Sequence, residues 1–502
     1  MTVAKTLTIT RREFVKAVGG LAAVASATSS VANDDLLSAD RVRAIGANKV
    51  LFVDHDFITK SAGVRLKLHP PRKTGERLLE SEHPWESATL NWFSVLRDGD
   101  KYRMWYECYD VEGWPTADDT SFCYAESNDG FHWTKPKLGM VSYRGNKDNN
   151  ILFRQVGEEK HRSRVHGSGV FLDPSAPPES RYKCVSQGLF QGIAERPYFV
   201  AGMTSPDGFR WTRSPQPICP VFADSQYSGF WDAQQRRHVI FGRVSGRGGR
   251  AIGRSTSDRF DAFAPFTRVL ETDDHDPPES DLYNPACQPY PDVPGLYLMF
   301  PSLFRHREET LDIRIAVSRD GEKWTRPDRE VAFIPLGKPG DFDGGSLYMG
   351  NSGCQRTGGE LSFYFSGSTL RHNETELVNL ADFRNRRVIS RAVARIDRLV
   401  SATAGAAGGQ FDTPLIRFAG DKLIVNAAAR PGGSVRVGLL DDGGRPIPGR
   451  GVAECRALTG DNDSWTVSWD DDSLSEWSQQ SIRLRIEVQD ADLFGFQFQK
   501  KS

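Results

Sequence analysis

Ser127-Asn-Asp129-Gly130-Phe-His-Trp133-Thr-Lys-Pro136 returns as Ser205-Pro-Asp207-Gly208-Phe-Arg-Trp211-Thr-Arg-Ser-Pro215 and again as Ser318-Arg-Asp320-Gly321-Glu-Lys-Trp324-Thr-Arg-Pro327. A weaker copy runs Ser255-Thr-Ser-Asp258-Arg-Phe260. Each copy follows a short alternating stretch: Ser121 to Glu126, Tyr198 to Thr204, Ala251 to Ser255 and Ile313 to Val317. Repetition at this spacing is the mark of an architecture built from stacked copies of one unit. Asp-Gly supplies the positive φ of a tight turn, and the tryptophan is expected to pack the return strand against the next sheet.

A second signal alternates with the first. Lys101 to Glu107, Arg181 to Val185, Arg237 to Arg243, Gly295 to Phe300 and Glu360 to Phe365 each read as the middle strand of such a unit. Punctuated short strands without long helical periodicity predict an all-β five-bladed β-propeller, here over residues 48–402. The small-residue stretch Ser401 to Gly409 reads as a linker. Beyond it, Thr413 to Phe418, Lys422 to Ala427, Ser434 to Leu440, Trp465 to Trp469 and Ile482 to Val488 predict a β-sandwich over residues 410–500.

At the N-terminus, Thr10-Arg11-Arg12-Glu13-Phe14-Val15-Lys16 and the apolar run Ala17 to Ala27 resemble a twin-arginine (Tat) export signal, residues 1–32. The run is too short to anchor the chain in a bilayer, so the mature protein is expected in the periplasm or outside the cell, with no membrane partner. Lysine plus arginine number 64 against 65 aspartate plus glutamate. That balance removes the electrostatic reason to expect nucleic acid. The seven cysteines form no Cys-x-x-Cys pair, so no metal site and no cofactor is expected. Cys108 and Cys123 could face each other on neighbouring strands, but spacing alone fixes no pairing.

The phased Ser-x-Asp-Gly-x-x-Trp segments resemble those of five-bladed propeller glycosidases, the superfamily of arabinanases, xylosidases, levanases and invertases (glycoside hydrolase families 43 and 32). The segments Ala394 to Ser401, Asp421 to Asn426 and Arg483 to Glu487 resemble the sandwich attached to bacterial members. The resemblance spans about residues 48–500 and implies a carbohydrate substrate. The invertase Asn-Asp-Pro-Asn-Gly and Arg-Asp-Pro motifs are missing, and Glu107-Cys108 lies in a middle strand, the wrong place for the invertase acid. The sialidase Asp box differs in spacing, and no arginine triad is identifiable.

Glycoside cleavage uses two carboxyl groups, one donating a proton to the leaving oxygen and one activating water or attacking carbon. In a propeller, such groups converge where the inner strands begin. Ahead of the expected inner strands stand Trp85-Glu86, His166-Gly-Ser-Gly169, Asp224-Ser-Gln-Tyr227, Asp281-Leu-Tyr283-Asn284 and Asp343-Gly-Gly-Ser346. Glu86 is the expected acid beside an apolar tryptophan, Asp224 the base or nucleophile, and Asp281 the group that orients substrate. Trp85, His166, Tyr283, Asn284 and Asp343 are the expected substrate contacts. Each has a plainer reading: Asp224 and Asp343 as turn caps, Glu86 and Asp281 as solvated loop acids, His166 as a structural histidine. The expected function is therefore an exported glycoside hydrolase, and the alternative is a non-catalytic carbohydrate-binding or scaffold propeller. Replacing Arg11 and Arg12 by lysine should abolish export without altering the fold. Cell fractionation checks this, and a normal periplasmic level of the double variant refutes the signal.

Overall fold

The computed structural model describes residues 42–110, 120–154, 165–190, 198–222, 224–374, 387–469 and 473–500. The expected export signal, residues 1–32, lies outside the described residues. The chain is all-β, and its sheets take a propeller-like arrangement.

The first sheet runs Thr89–Asp98, Lys101–Tyr109, Thr120–Ser127 and Ile151–Arg154. The second holds His166–Leu172, Tyr182–Leu189, Tyr198–Ser205 and Thr212–Arg213, and the third Ser228–Asp232, Arg237–Gly246, Gly249–Ser257 and Thr267–Leu270. A three-stranded sheet follows, Cys287–Pro289, Tyr297–Met299 and Ala316–Ser318. The last sheet contains Ser346–Thr357, Glu360–Ser368 and Arg387–Arg395, and the early strand Arg72–Lys73 closes its outer edge by pairing with Ala392 and Val393. A parallel contact of one residue pair, Leu311↔Ser346, joins this sheet to Ser302–Arg305 and Thr310–Ile313. Thr89–Asp98 touches His166–Leu172, which touches Ser228–Asp232, which touches Cys287–Pro289. That strand touches Ser346–Thr357, which returns to Thr89–Asp98 and closes a ring of inner strands.

Apolar side chains fill the gaps between successive sheets. Trp105, Phe122, Tyr182 and Met203 join the first two, Phe171, Val185, Tyr227 and Ile240 the second and third, and Phe230, Phe241, Leu282 and Tyr297 the third and its neighbour. The repeated turns lock this arrangement. In all three copies the serine hydroxyl accepts from the glycine N–H, at 2.9, 2.9 and 2.8 Å, and the aspartate accepts from the next two N–H groups. Trp133, Trp211 and Trp324 donate to the carbonyls of their own turn glycines at 3.2, 3.0 and 3.1 Å. They meet Tyr364, Trp105 and Phe241 edge-on. Those partners belong to the preceding sheet in the ring, not the next one as the sequence suggested. The reason is visible at two of the turns, whose glycine carbonyls accept from Tyr364 and Trp105 of that same preceding sheet. In the weaker copy Phe260 takes the equivalent place, against Phe171.

The C-terminal strands fold around a separate core that includes Phe52, Phe411, Val437, Trp469, Leu484 and Phe496. Two long strands, Lys422–Leu440 and Ser481–Gln499, pair along most of their length. Two sequence expectations need correction here. The strands between Val50 and Leu68, counted in the propeller, pair with C-terminal strands, so the chain enters the ring only at Arg72. The expected linker is the strand Val400–Ala404 followed by a turn, with Ala402 and Ala404 buried. Small residues there serve close packing as well as they would serve flexibility. All seven cysteines are buried free thiols, and Cys108 Sγ lies 3.5 Å from Cys123 Sγ without a bond. Among the described residues no helix is long and apolar enough to cross a membrane.

Sheets two and three approach closely because Gly167 and Gly169 have no side chain. A β-carbon on Gly167, whose φ is +69°, would sit 1.9 Å from the backbone nitrogen of Gln226, and one on Gly169 2.3 Å from the carbonyl of Tyr227. The Tyr227 N–H donates to the Gly167 carbonyl at 2.8 Å. Gly167→Ala should therefore destabilise by on the order of 3 kcal/mol, combining a left-handed backbone with overpacking. Gly99→Ala, with φ +62° and open space around it, should cost about 1 kcal/mol. Urea unfolding midpoints check the difference, and equal losses would refute the close-approach account.

Candidate functional site

Two acids define the site: Asp224, in the turn ahead of sheet three, and Asp281, in the short strand Ser280–Leu282 that pairs with Ser302–Arg305. Asp224 precedes the inner strand Ser228–Asp232, and its side chain is 42% exposed beside the Arg243 guanidinium. The turn after it is strained, since the buried Gln226 holds φ +81°. Asp281 is fully enclosed, at 0% exposure. Its Oδ2 accepts from the Arg250 N–H at 3.2 Å and from Arg250 Nη1 at 2.9 Å, and His306 Nε2 lies 3.0 Å away. His306 itself is 36% exposed, so the buried carboxylate holds an accessible imidazole.

Aromatic rings connect this pair to the remaining sheets. Arg250 lies 4.9 Å and Arg243 6.0 Å from the centroid of Tyr283. Tyr283 stacks on Trp92 at 6.3 Å and meets Tyr348 at 5.8 Å. Tyr348 bonds His372 Nδ1 at 2.9 Å and carries Arg387 over its face at 5.0 Å. Arg387 donates to Asn91 Oδ1 at 2.8 Å, and Asn91 Nδ2 donates to Tyr109 at 3.4 Å. Tyr109 in turn lies 3.2 Å from His166 Nδ1, which stands equally far from the buried Glu107 Oε2. Residues of the first, second, third and last sheets thus contribute to one continuous group. Burial, and then the positive charges of Arg250, Arg387, Arg243 and His306, depress His372 to about 4. It is therefore neutral at pH 7. Burial above all raises Tyr283 and Tyr348, so both keep their phenolic protons.

A cleft of about 590 Å³ opens onto this group between Phe222, Asp224, Arg243, Gly249, Arg250 and Phe266. Phe222, 57% exposed, is the most exposed large apolar side chain among the described residues. An exposed ring at a cleft mouth is suited to stack on a sugar face. Among the described residues no group of three His, Cys, Asp or Glu side chains is placed to hold a metal.

Of the residues picked from sequence, Asp224, Asp281, Tyr283 and His166 come together here. Glu86 and Trp85 do not. Glu86 is fully buried within the first sheet's flank. Its Oε1 accepts from Tyr106 at 2.6 Å, and its Oε2 from the N–H groups of Glu82 and His83 and from Lys135 at 2.9 Å. Four donors inside the protein thus hold a carboxylate with no exposed surface, away from the cleft. Trp85 is buried against His83 and Tyr143 and donates to Asn150 at 3.0 Å. Asn284 is enclosed and ties Ser302 to the Met349 carbonyl. Asp343 pairs with Lys73 at 2.7 Å and fastens the closing strand instead of facing the cleft.

Arg243, Arg250, His306, His372, Arg387, Trp92 and Tyr348 do not stand ahead of inner strands and were not legible in the sequence, and Glu107, set aside for its place in a middle strand, belongs to the group after all. Arg243 and Arg250 flank the hairpin between the second and third strands, and His306 sits in the hairpin after Arg305. Histidine supplies a signal in retrospect: the chain has ten, and three of them meet at this one site.

No protein family matches the chain, and no curated protein matches it. Solved structures of similar shape include a member of the GH130 family of mannoside phosphorylases and glycoside hydrolases, whose reported targets are β-1,2-mannosidic linkages in Candida mannan. It has 12% identity and a TM-score of 0.46, and the match covers 71% of this chain and 99% of that one. A glycosyl hydrolase from Bacteroides ovatus has 13% identity and a TM-score of 0.44 over the same shares. An N-acetylgalactosamine deacetylase from F. plautii, in complex with blood group B trisaccharide, has 13% identity and a TM-score of 0.43, covering 68% of this chain and 96% of that one. Likeness at these values assigns neither family nor activity.

Glu86 is a structural acid in this arrangement, and that has a measurable consequence. Glu86→Gln leaves Lys135, only 6% exposed, without one of its two carboxylate partners. Stability should fall by about 3 kcal/mol, the lower end of what breaking a buried pair costs. The chemical denaturation midpoint measures this. A variant of unchanged stability would show that Glu86 is not held as described.

Proposed function

We propose that the protein is a five-bladed propeller carbohydrate-active hydrolase whose substrate enters the cleft beside Phe222 and Asp224. Five sequential inner strands in a closed ring support the blade count, with the single pair Leu311↔Ser346 as a seam between two blades. The observation that carries the function is the convergence, in one aromatic-walled group, of an exposed carboxylate and an accessible imidazole held by a buried one. Hydrolysis of a glycosidic bond divides water across the broken C–O bond. His306, oriented by Asp281, gives its proton to the leaving oxygen. Asp224 takes the proton of the attacking water, whose oxygen bonds to the sugar carbon. Asp281 acts through His306 as a positioning residue, close to the orienting role first expected of it. The carboxyl that Glu86 was expected to supply is replaced by an imidazole.

The alternative, a non-catalytic sugar-binding propeller, has one observation in its favour. Both site aspartates face arginines, Asp224 with Arg243 and Asp281 with Arg250, so each carboxylate is already engaged in an ion pair. Export to the periplasm or beyond accords with a substrate of extracellular glycan.

Purified protein screened on plant and algal polysaccharides should release reducing ends. Asp224→Asn and His306→Gln should each lower kcat by about 10² to 10⁴ with the melting temperature unchanged, the usual range for losing a positioned acid or base. Glycan binding without product release by the unaltered protein would overturn catalysis in favour of the binding alternative.

A further inference from the structure

The arginines of the site are not all answered by a carboxylate. Arg243 faces Asp224, and Arg250 faces Asp281. Arg387 has no carboxylate partner among the described residues. Among the described residues its guanidinium donates to the neutral amide oxygen of Asn91 and lies over the Tyr348 ring at 5.0 Å. Glu107, the other acid of the group, is engaged by the Ser168 N–H at 2.9 Å and by His166. Among the described residues, the buried donors Trp92 Nε1, Arg250 Nε and Gln226 Nε2 have no hydrogen-bond partner, against the buried acceptors Asp281 Oδ1 and Gln226 Oε1. His372, 2.9 Å from Tyr348, feels three guanidiniums and is held neutral.

A guanidinium fixed by a ring beneath it and one side-chain amide keeps a fork of N–H groups in a set direction. Such a fork matches two oxygens of a carboxylate or sulfate, and a partly enclosed setting strengthens the contact. A neutral sugar hydroxyl would leave the charge unanswered.

We infer that the site takes a sugar bearing an anionic substituent, a uronate carboxylate or a sulfate ester, received by Arg387 above Tyr348. The inference rests on the carbohydrate reading of the site and narrows its substrate class. Arg387 is a specificity-determining residue, and it takes no part in proton transfer.

The full chain is tested on an array of plant and algal oligosaccharides that includes neutral, uronate-bearing and sulfated members. The best-bound glycan is then titrated calorimetrically in its natural form and after carboxyl reduction or desulfation. The expected result is an anionic best binder whose affinity falls about tenfold or more on neutralisation, the scale of one hydrogen-bonded charge. The treatment that removes affinity tells uronate from sulfate. Arg387→Gln should erase the difference between the charged and neutral forms, and Arg387→Lys should restore part of it, because the charge returns without the fork. Should Arg387→Gln fold poorly by thermal melting, salt supplies the second measurement, since the preference of the unaltered protein should weaken at high ionic strength. A neutral best binder, or a charged one indifferent to neutralisation, overturns the inference and leaves the hydrolase reading standing. Binding to no glycan on the array overturns both.

Discussion

The edge-on contact between each turn tryptophan and the sheet before it is the constraint from which the rest of the ring follows. Trp211 bonds its own Gly208 carbonyl, and that same carbonyl accepts from Trp105 of the first sheet. One oxygen therefore fixes the turn internally and the sheet externally. Tyr364 does the same to the Gly130 carbonyl beside Trp133. A four-stranded sheet buries one face only by meeting a neighbour, and a ring with these fixed joints leaves each sheet a neighbour on both sides. The aspartates of the repeats are spent in this work, which is why none of them stands near the cleft.

Closing the ring in this way brings inner-strand ends together and gives the site its character. Glycines 167 and 169 let the backbones of sheets two and three touch, so His166 and the turn from Asp224 to Tyr227 lie on adjoining strand ends. The group that results is mostly aromatic and arginine, with its acids either enclosed or ion-paired. Enclosure suits Asp281 to orienting a neighbour, and exposure suits Asp224 to meeting a ligand.

The early strands add a second kind of closure. Arg72–Lys73 completes the last sheet, and Asp343 holds Lys73 in place. The preceding residues from Arg43 to Leu68 pair with C-terminal strands. Both ends of the described chain thus meet in one sheet system, and the ring and the sandwich are fastened by the same stretch of sequence. A salt-bridge cluster, Arg395 and Arg398 with Asp461 and Asp463, joins the end of the ring to the sandwich side by side with this seam.

Local chemistry determined much of this protein. Asp-Gly turns, alternating strands and the spacing of Trp133, Trp211 and Trp324 specify the sheets, because positive φ and period-two alternation act within a few residues of one another. The same locality let Asp224 and Asp281 be found, since both precede inner strands. Tertiary structure alone decided what those acids meet. Glu86 and Asp281 look alike in sequence, each an acid one or two residues from an aromatic. The first is sealed by Tyr106, Lys135 and two N–H groups, and the second backs an accessible histidine. Arg387 and Asn91 are 296 residues apart yet hydrogen-bonded at 2.8 Å. Ring closure sets such pairings, and a partner brought round the ring leaves no trace in the residues beside it.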